Sequence, residues 1–107
     1  MIRALSGLTP HIHPTARVAE DADLVGGVTL GEEASIWYHA VLRADHHCIT
    51  VGPRSNIQDG AVLHCGAAFP ITIGADVTMA PWPTVTANFF ALISSSVIFT
   101  FRLKPTL

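Results

Sequence analysis

The sequence predicts an all-β chain, a parallel β-helix wound from six-residue repeats. Three observations predict it. Aliphatic residues recur every six positions at Ile12, Val18, Leu24, Leu30, Ile36 and Leu42, resume at Val51, Ile57 and Leu63, and return at Ile73 and Met79. Small residues follow four positions later, at Ala16, Ala22, Val28, Ala34, Ala40, Ser55, Ala61 and Val77. Glycine directly follows the aliphatic residue at Gly31, Gly52 and Gly74.

Each six-residue unit is long enough for a short strand and a turn. The aliphatic residue points inward and the glycine relieves the corner; stacked turns then bury a continuous aliphatic column. A long helix is excluded, because it needs apolar residues three and four apart, and Pro10, Pro14 and Pro53 interrupt it. The evenness of the spacing separates this pattern from a chance aliphatic run in a β-sandwich. Two insertions interrupt the beat, one between Leu42 and Val51 and one from Cys65 to Pro70.

A chain of 107 residues forms one domain with a modest core. Half of its residues are hydrophobic, 13% are charged and the net charge is −2, so no basic field draws nucleic acid. Cys48 and Cys65 make no disulfide framework, and Met1–Pro10 has too short an apolar run for a secretory signal, so a reduced, cytoplasmic setting is expected. Six histidines direct attention to metal chemistry.

Several segments carry a more specific likeness. They are Ile12-His13-Pro14-Thr15-Ala16, Ala34-Ser35-Ile36-Trp37-Tyr38 and Ala40-Val41-Leu42-Arg43-Ala44-Asp45. The longest runs from Ser55 through Asn56-Ile57-Gln58-Asp59-Gly60 to His64, and Thr72-Ile73-Gly74-Ala75-Asp76-Val77-Thr78 follows. On these residues the first 78 positions resemble the gamma-class carbonic anhydrases, left-handed β-helix proteins that assemble as trimers. Hexapeptides alone are shared with many acyltransferases; the Arg-x-Asp and Asn-x-Gln-Asp-Gly-x-x-x-His segments select this family. The resemblance implies zinc held by three histidines, two from one subunit and one from its neighbour, with an open position for the water that becomes the attacking hydroxide. It implies reversible hydration of carbon dioxide to bicarbonate, with His64 as a zinc ligand and Gln58 orienting the hydroxide. Arg43, Asp45 and Asp59 match charged residues that bridge neighbouring subunits beside the site.

The likeness stops at Met79. The other two ligands belong to a Gly-His-x-x-x-x-His-Gly-Cys segment, and without gaps Pro81 and Thr86 stand at its histidine positions. Proline has no donor atom, a threonine hydroxyl is a poor zinc ligand, and no histidine follows His64. The chain therefore divides into a β-helix over 1–78, of three to four coils, and a divergent apolar tail over 79–107. No charge lies between Val77 and Phe101, although an aliphatic beat continues at Met79, Val85, Ala91, Val97 and Leu103. The expectation is a truncated or altered family member and a poor or inactive hydratase. A shifted reading frame or rearranged gene end would explain the abrupt change; a continuous, intact downstream frame at the locus, without family-like coding, would contradict it.

Other features have plainer readings. Asp45-His46-His47-Cys48 with His64 and Cys65 is a weak second metal-site candidate, since adjacent residues of an extended chain point to opposite faces. Cys65 reads as a packed cysteine, His13 as a structural residue satisfied by backbone or solvent, and His39 as a surface or interface residue. Trp37 and Tyr38 read as packed between elements. The stretch from Val85 to Phe101 falls short of the roughly 20 apolar residues of a spanning helix. Two rivals to the hydratase reading remain: a hexapeptide-repeat acyltransferase using His64 as base, and a non-catalytic scaffold. The partners expected are two further copies or full-length relatives, with carbon dioxide and bicarbonate as ligands of an active site.

Overall fold

Short strands bounded by tight corners must find their backbone partners in other coils, and the computed structural model has that arrangement. It describes residues 1–65 and 70–79 (the backbone alone for His46 and His47) and the backbone of three later strands. The strands are β1 (Ile2–Arg3), β2 (His11–Ile12), β3 (Arg17–Val18), β4 (Asp23–Leu30), β5 (Ser35–Ile36), β6 (Val41–Val51), β7 (Asn56–Ile57), β8 (Val62–Cys65), β9 (Ile71–Ile73), β10 (Thr78–Met79), β11 (Thr84–Ala87), β12 (Ala91–Ile93) and β13 (Ile98–Phe99). All strand-to-strand ladders are parallel.

The ladders form three faces. The first stacks β1, the start of β4, the start of β6, β8 and β11; the second stacks β2, the ends of β4 and β6, β9 and β12. The third is the five-stranded sheet β3-β5-β7-β10-β13. Leu24, Leu42, Leu63 and Val85 are successive register partners, so the coils span 18, 21 and 22 residues. The extra residues of both longer coils fall at one corner, between the first and second faces. There Gly26 pairs Ala44 while Val28 pairs Ile49, and Cys65 pairs Ala44 while Ile71 pairs Ile49.

The repeat aliphatics from Leu24 to Met79 are all buried, as are the small residues Ala22, Val28, Ala34, Ala40, Ala61 and Val77. Ile49 and Ile71 share this core and escape the six-residue beat, because each follows an insertion that displaces it from the expected offset. Ser55 is the buried polar residue of the group. Its hydroxyl donates to the Gly74 carbonyl at 2.5 Å and accepts from the Val77 N–H at 2.9 Å, joining two coils inside the column.

The glycines serve a different purpose from the one their position suggests. Left-handed backbone falls two residues later, at Glu33, Arg54 and Asp76, with φ of 57°, 60° and 57°. His39 and Gly60 take the same conformation at the third-to-first corner, where Trp37 and Gln58 hold the position corresponding to Gly52. The turn therefore forms without that glycine. What requires Gly52 is stacking: a Cβ there would lie 2.5 Å from the Gly74 carbonyl carbon and oxygen.

Beyond Met79 the backbone continues the stack, with β11 on β8, β12 on β9 and β13 on β10. The expected beat shifts after Val85: Ile93 and Phe99, rather than Ala91 and Val97, are the partners of Ile73 and Met79. Val97 and Leu103 lie outside the described residues. Among the described residues no helix is long and apolar enough to cross a membrane.

Candidate functional site

Alternation along a strand puts Arg43 and Asp45 of β6 outward on the first face, flanking the buried Ala44. Parallel pairing sets His64 of β8 opposite Arg43. The three side chains meet: Arg43 Nη2 lies 2.9 Å from His64 Nε2, Asp45 Oδ2 lies 3.0 Å from the same nitrogen, and Arg43 Nε reaches Asp45 Oδ1 at 3.2 Å. Asp45 and His64 are about a quarter exposed, at 26% and 28%, while Arg43 is half exposed.

Gln58 and Asp59 stand elsewhere. Gln58 follows β7 on the third face, where its Nε2 donates to Asn56 Oδ1, and Asn56 Nδ2 donates to Thr78 Oγ1 at 3.1 Å. Asp59 accepts the Tyr38 N–H at 3.2 Å and braces the third-to-first corner. Within one chain neither is hydrogen-bonded to His64. Of the residues that the resemblance singled out, the fold gathers Arg43, Asp45 and His64 and leaves Gln58 and Asp59 on the neighbouring face and corner.

Trp37 and Tyr38 correct an expectation. They do not pack between elements: they are 43% and 51% exposed and meet each other edge-on, with centroids 6.4 Å apart. The corner that turns Ile36 inward leaves the next two side chains outside. With Arg17, Ser35 and Ile36 they line a groove of about 270 Å³ on the third face. His39 lies on the surface, its Nε2 3.1 Å from Asp21 Oδ2. The Nδ1 of His13 accepts the Thr15 N–H at 3.1 Å, the structural role expected of it. Cys65 is packed in the core and Cys48 is exposed. The side chains of His46 and His47 lie outside the described residues.

A zinc of the family's kind needs three nitrogen donors. Among the described residues no group of three or more His, Cys, Asp or Glu is arranged to hold a metal ion. The Cα partner of His64 in the next coil is Thr86, and Pro81 lies outside the described residues. Among the described residues the donors at His64 are one imidazole and one carboxylate that also pairs with Arg43, a set that does not fit a three-histidine zinc.

Stacked parallel hexapeptides with an Arg-x-Asp and histidine cluster on one face define a class, the hexapeptide-repeat β-helices. The particular family emerges from comparison with known proteins. No family model matches the chain. A probable carbonic anhydrase of Methanocaldococcus jannaschii is 44% identical over 68 residues, 64% of this chain and 43% of that protein. The mitochondrial gamma carbonic anhydrase 3 of Arabidopsis thaliana is 43% identical over 77 residues, 66% of this chain and 30% of that protein. An uncharacterized transferase of Bacillus subtilis is 41% identical over 70 residues, 65% of this chain and 41% of that protein. Among solved structures, a hexapeptide transferase family protein from Anaplasma phagocytophilum matches with a TM-score of 0.56, covering 94% of this chain and 79% of that one. At 22% identity that likeness is one of fold. The matched stretch thus spans less than half the length of these curated relatives. The chain belongs to the gamma-carbonic-anhydrase-like, hexapeptide-repeat family.

Proposed function

We propose that the chain is a subunit of a gamma-carbonic-anhydrase-type assembly whose zinc-dependent hydration of carbon dioxide is impaired or lost. The observation that carries this reading is the pairing of Thr86 with His64, one coil above the imidazole. Reversible hydration of carbon dioxide is the activity that the relatives' names bring to the chain. Among the described residues around His64 no three-histidine donor set is gathered. Assembly as a trimer is part of the same proposal. It is supported by the exposed Trp37 and Tyr38 on the third face and by the separation of Gln58 from His64, which a neighbouring subunit would bridge.

Carbon dioxide hydration by the purified chain in the presence of added zinc tests the reading. The expected rate equals that of buffer, and Pro81→His with Thr86→His gives zinc binding that the parent lacks. Zinc-dependent hydration by the unaltered chain, abolished in His64→Ala, would overturn it. A second reading, acyl transfer with His64 as base, draws support from the transferase relative and from the carboxylate of Asp45 beside the imidazole. Retention on immobilised coenzyme A, lost in His64→Ala, would favour it.

A further inference from the structure

We propose that Asp45 holds His64 in the tautomer with its proton on Nε2, which leaves Nδ1 as the basic nitrogen of the site. The inference rests on the reading that His64 is the site's reactive imidazole, and it makes Asp45 a positioning residue.

The argument starts from a conflict at one atom. Nε2 of His64 lies 2.9 Å from Arg43 Nη2 and 3.0 Å from Asp45 Oδ2. A guanidinium only donates, a carboxylate only accepts, and a nitrogen of neutral imidazole does one or the other. One contact is therefore a hydrogen bond and the other opposes like with like. Exposure decides between them. Arg43 is 51% exposed, so water takes up its Nη2 hydrogens, and its Nε keeps Asp45 Oδ1 at 3.2 Å in either case. Asp45 and His64 are 26% and 28% exposed, where a carboxylate set against a nitrogen lone pair is poorly screened. Donation from Nε2–H removes that repulsion and forms a charge-assisted bond.

Strand geometry holds the pair in place. Asp45 is two residues beyond Arg43, the register partner of His64, so imidazole and carboxylate share a face. Among the described residues Nδ1 has no hydrogen-bond partner, whereas His13 engages Nδ1 with Thr15. The ligand class this arrangement favours is a water or hydroxyl that gives its proton to Nδ1. A metal ion reaching this ring would have to take Nδ1 or displace the Asp45 bond.

Long-range proton–nitrogen correlation of the histidine rings in the ¹⁵N-labelled full chain tests the proposal. It is run at about pH 8, above the ordinary imidazole pKa of about 6.5, with His64 assigned by the signals lost in His64→Gln. The expected spectrum shows His64 protonated at Nε2. Asp45→Asn, whose amide can donate to Nε2, moves the proton to Nδ1; Asp45→Glu keeps it on Nε2, and so does Arg43→Met. Protonation at Nδ1 in the unaltered chain overturns the proposal, and so does a tautomer that changes in Arg43→Met and not in Asp45→Asn. If Asp45→Asn fails to fold, the unaltered chain decides alone. The measurement needs neither metal nor substrate, so it fails or succeeds independently of the hydratase reading.

Discussion

Two corners of the same prism have opposite characters. At the second-to-third corner the turns after Leu30, Val51 and Ile73 have the same length, and glycine, left-handed residue and small inward residue repeat in register through these three coils. At the first-to-second corner the coil length changes from 18 to 21 to 22 residues, and the Arg43, Asp45 and His64 cluster sits at its edge. Backbone stacks closely at both corners: a Cβ at Gly52 would lie 2.5 Å from the Gly74 carbonyl, and one at Gly26 would lie 2.1 Å from the Ala44 carbonyl oxygen. The irregular corner accepts extra residues because they leave the ladders on either side intact. We expect stability to be concentrated where the repeat is strict; candidate chemistry lies beside the place where it lapses.

Insertion tests that division most severely. Two glycines placed between His46 and His47 lengthen a segment without ladder partners in β4 and should cost less than about 0.6 kcal/mol. The same pair between Pro53 and Arg54 would displace the bonds Arg54 N–H to Glu32, Ser55 N–H to Gly52 and Asp76 N–H to Pro53. At about 1 kcal/mol each, that loss comes to about 3 kcal/mol in a denaturant titration. Equal destabilisation by both insertions would erase the distinction between the corners.

Gly52→Ala comes next. The new methyl meets the Gly74 backbone, which cannot swing aside, and the expected loss is about 1–3 kcal/mol by the same titration. No loss would mean that the coils can part locally. Ser55→Ala strands the buried Val77 N–H and should cost about 1–2 kcal/mol, with faster hydrogen exchange at that amide. Unchanged exchange there would remove the hydroxyl from the account.

The smallest effect belongs to the exposed ladder of the regular corner. Arg54 binds Asp76 through two hydrogen bonds, at 2.7 and 3.0 Å, and this guanidinium lowers the Asp76 carboxyl below its usual range. The same carboxylate, through that bond and its charge, raises the Arg54 pKa. Because the folded value lies below the unfolded one, of about 3.9, the pair's contribution is complete above the unfolded value. It is lost as pH falls through the folded one. Asp76→Asn should flatten stability against pH in that acidic window by removing the small contribution present above it, and leave stability below the window unchanged. A window displaced toward neutral pH would point to another carboxylate.

Much of the fold was legible because the repeat is local: Ile12 to Leu42 and Val51 to Leu63 lie on the beat, and neighbours in sequence become neighbours in a coil. The role of Gly52 was not, since the atoms that exclude its Cβ belong to Gly74, a whole coil away. Ile49 and Ile71 were hidden by the insertions before them; their apolar character, after the polar break from Asp45 to Cys48 in one case and directly after Pro70 in the other, was the available signal. Within the candidate site, Arg43, Asp45 and His64 were found through resemblance. Their convergence on Nε2 depends on the pairing of β6 with β8, which no spacing reveals. Trp37 and Tyr38 misled because large aromatics are usually packed, and here a corner turns them out.

The central proposal is that a family-type β-helix persists here with the family's zinc chemistry impaired or lost. Zinc content per chain, measured with the molecular mass of the same chromatographic peak, tests it most directly. The account predicts a trimer carrying well under one zinc per chain. One zinc per chain in a trimer would contradict it, and would mean that donors beyond the described residues complete the site.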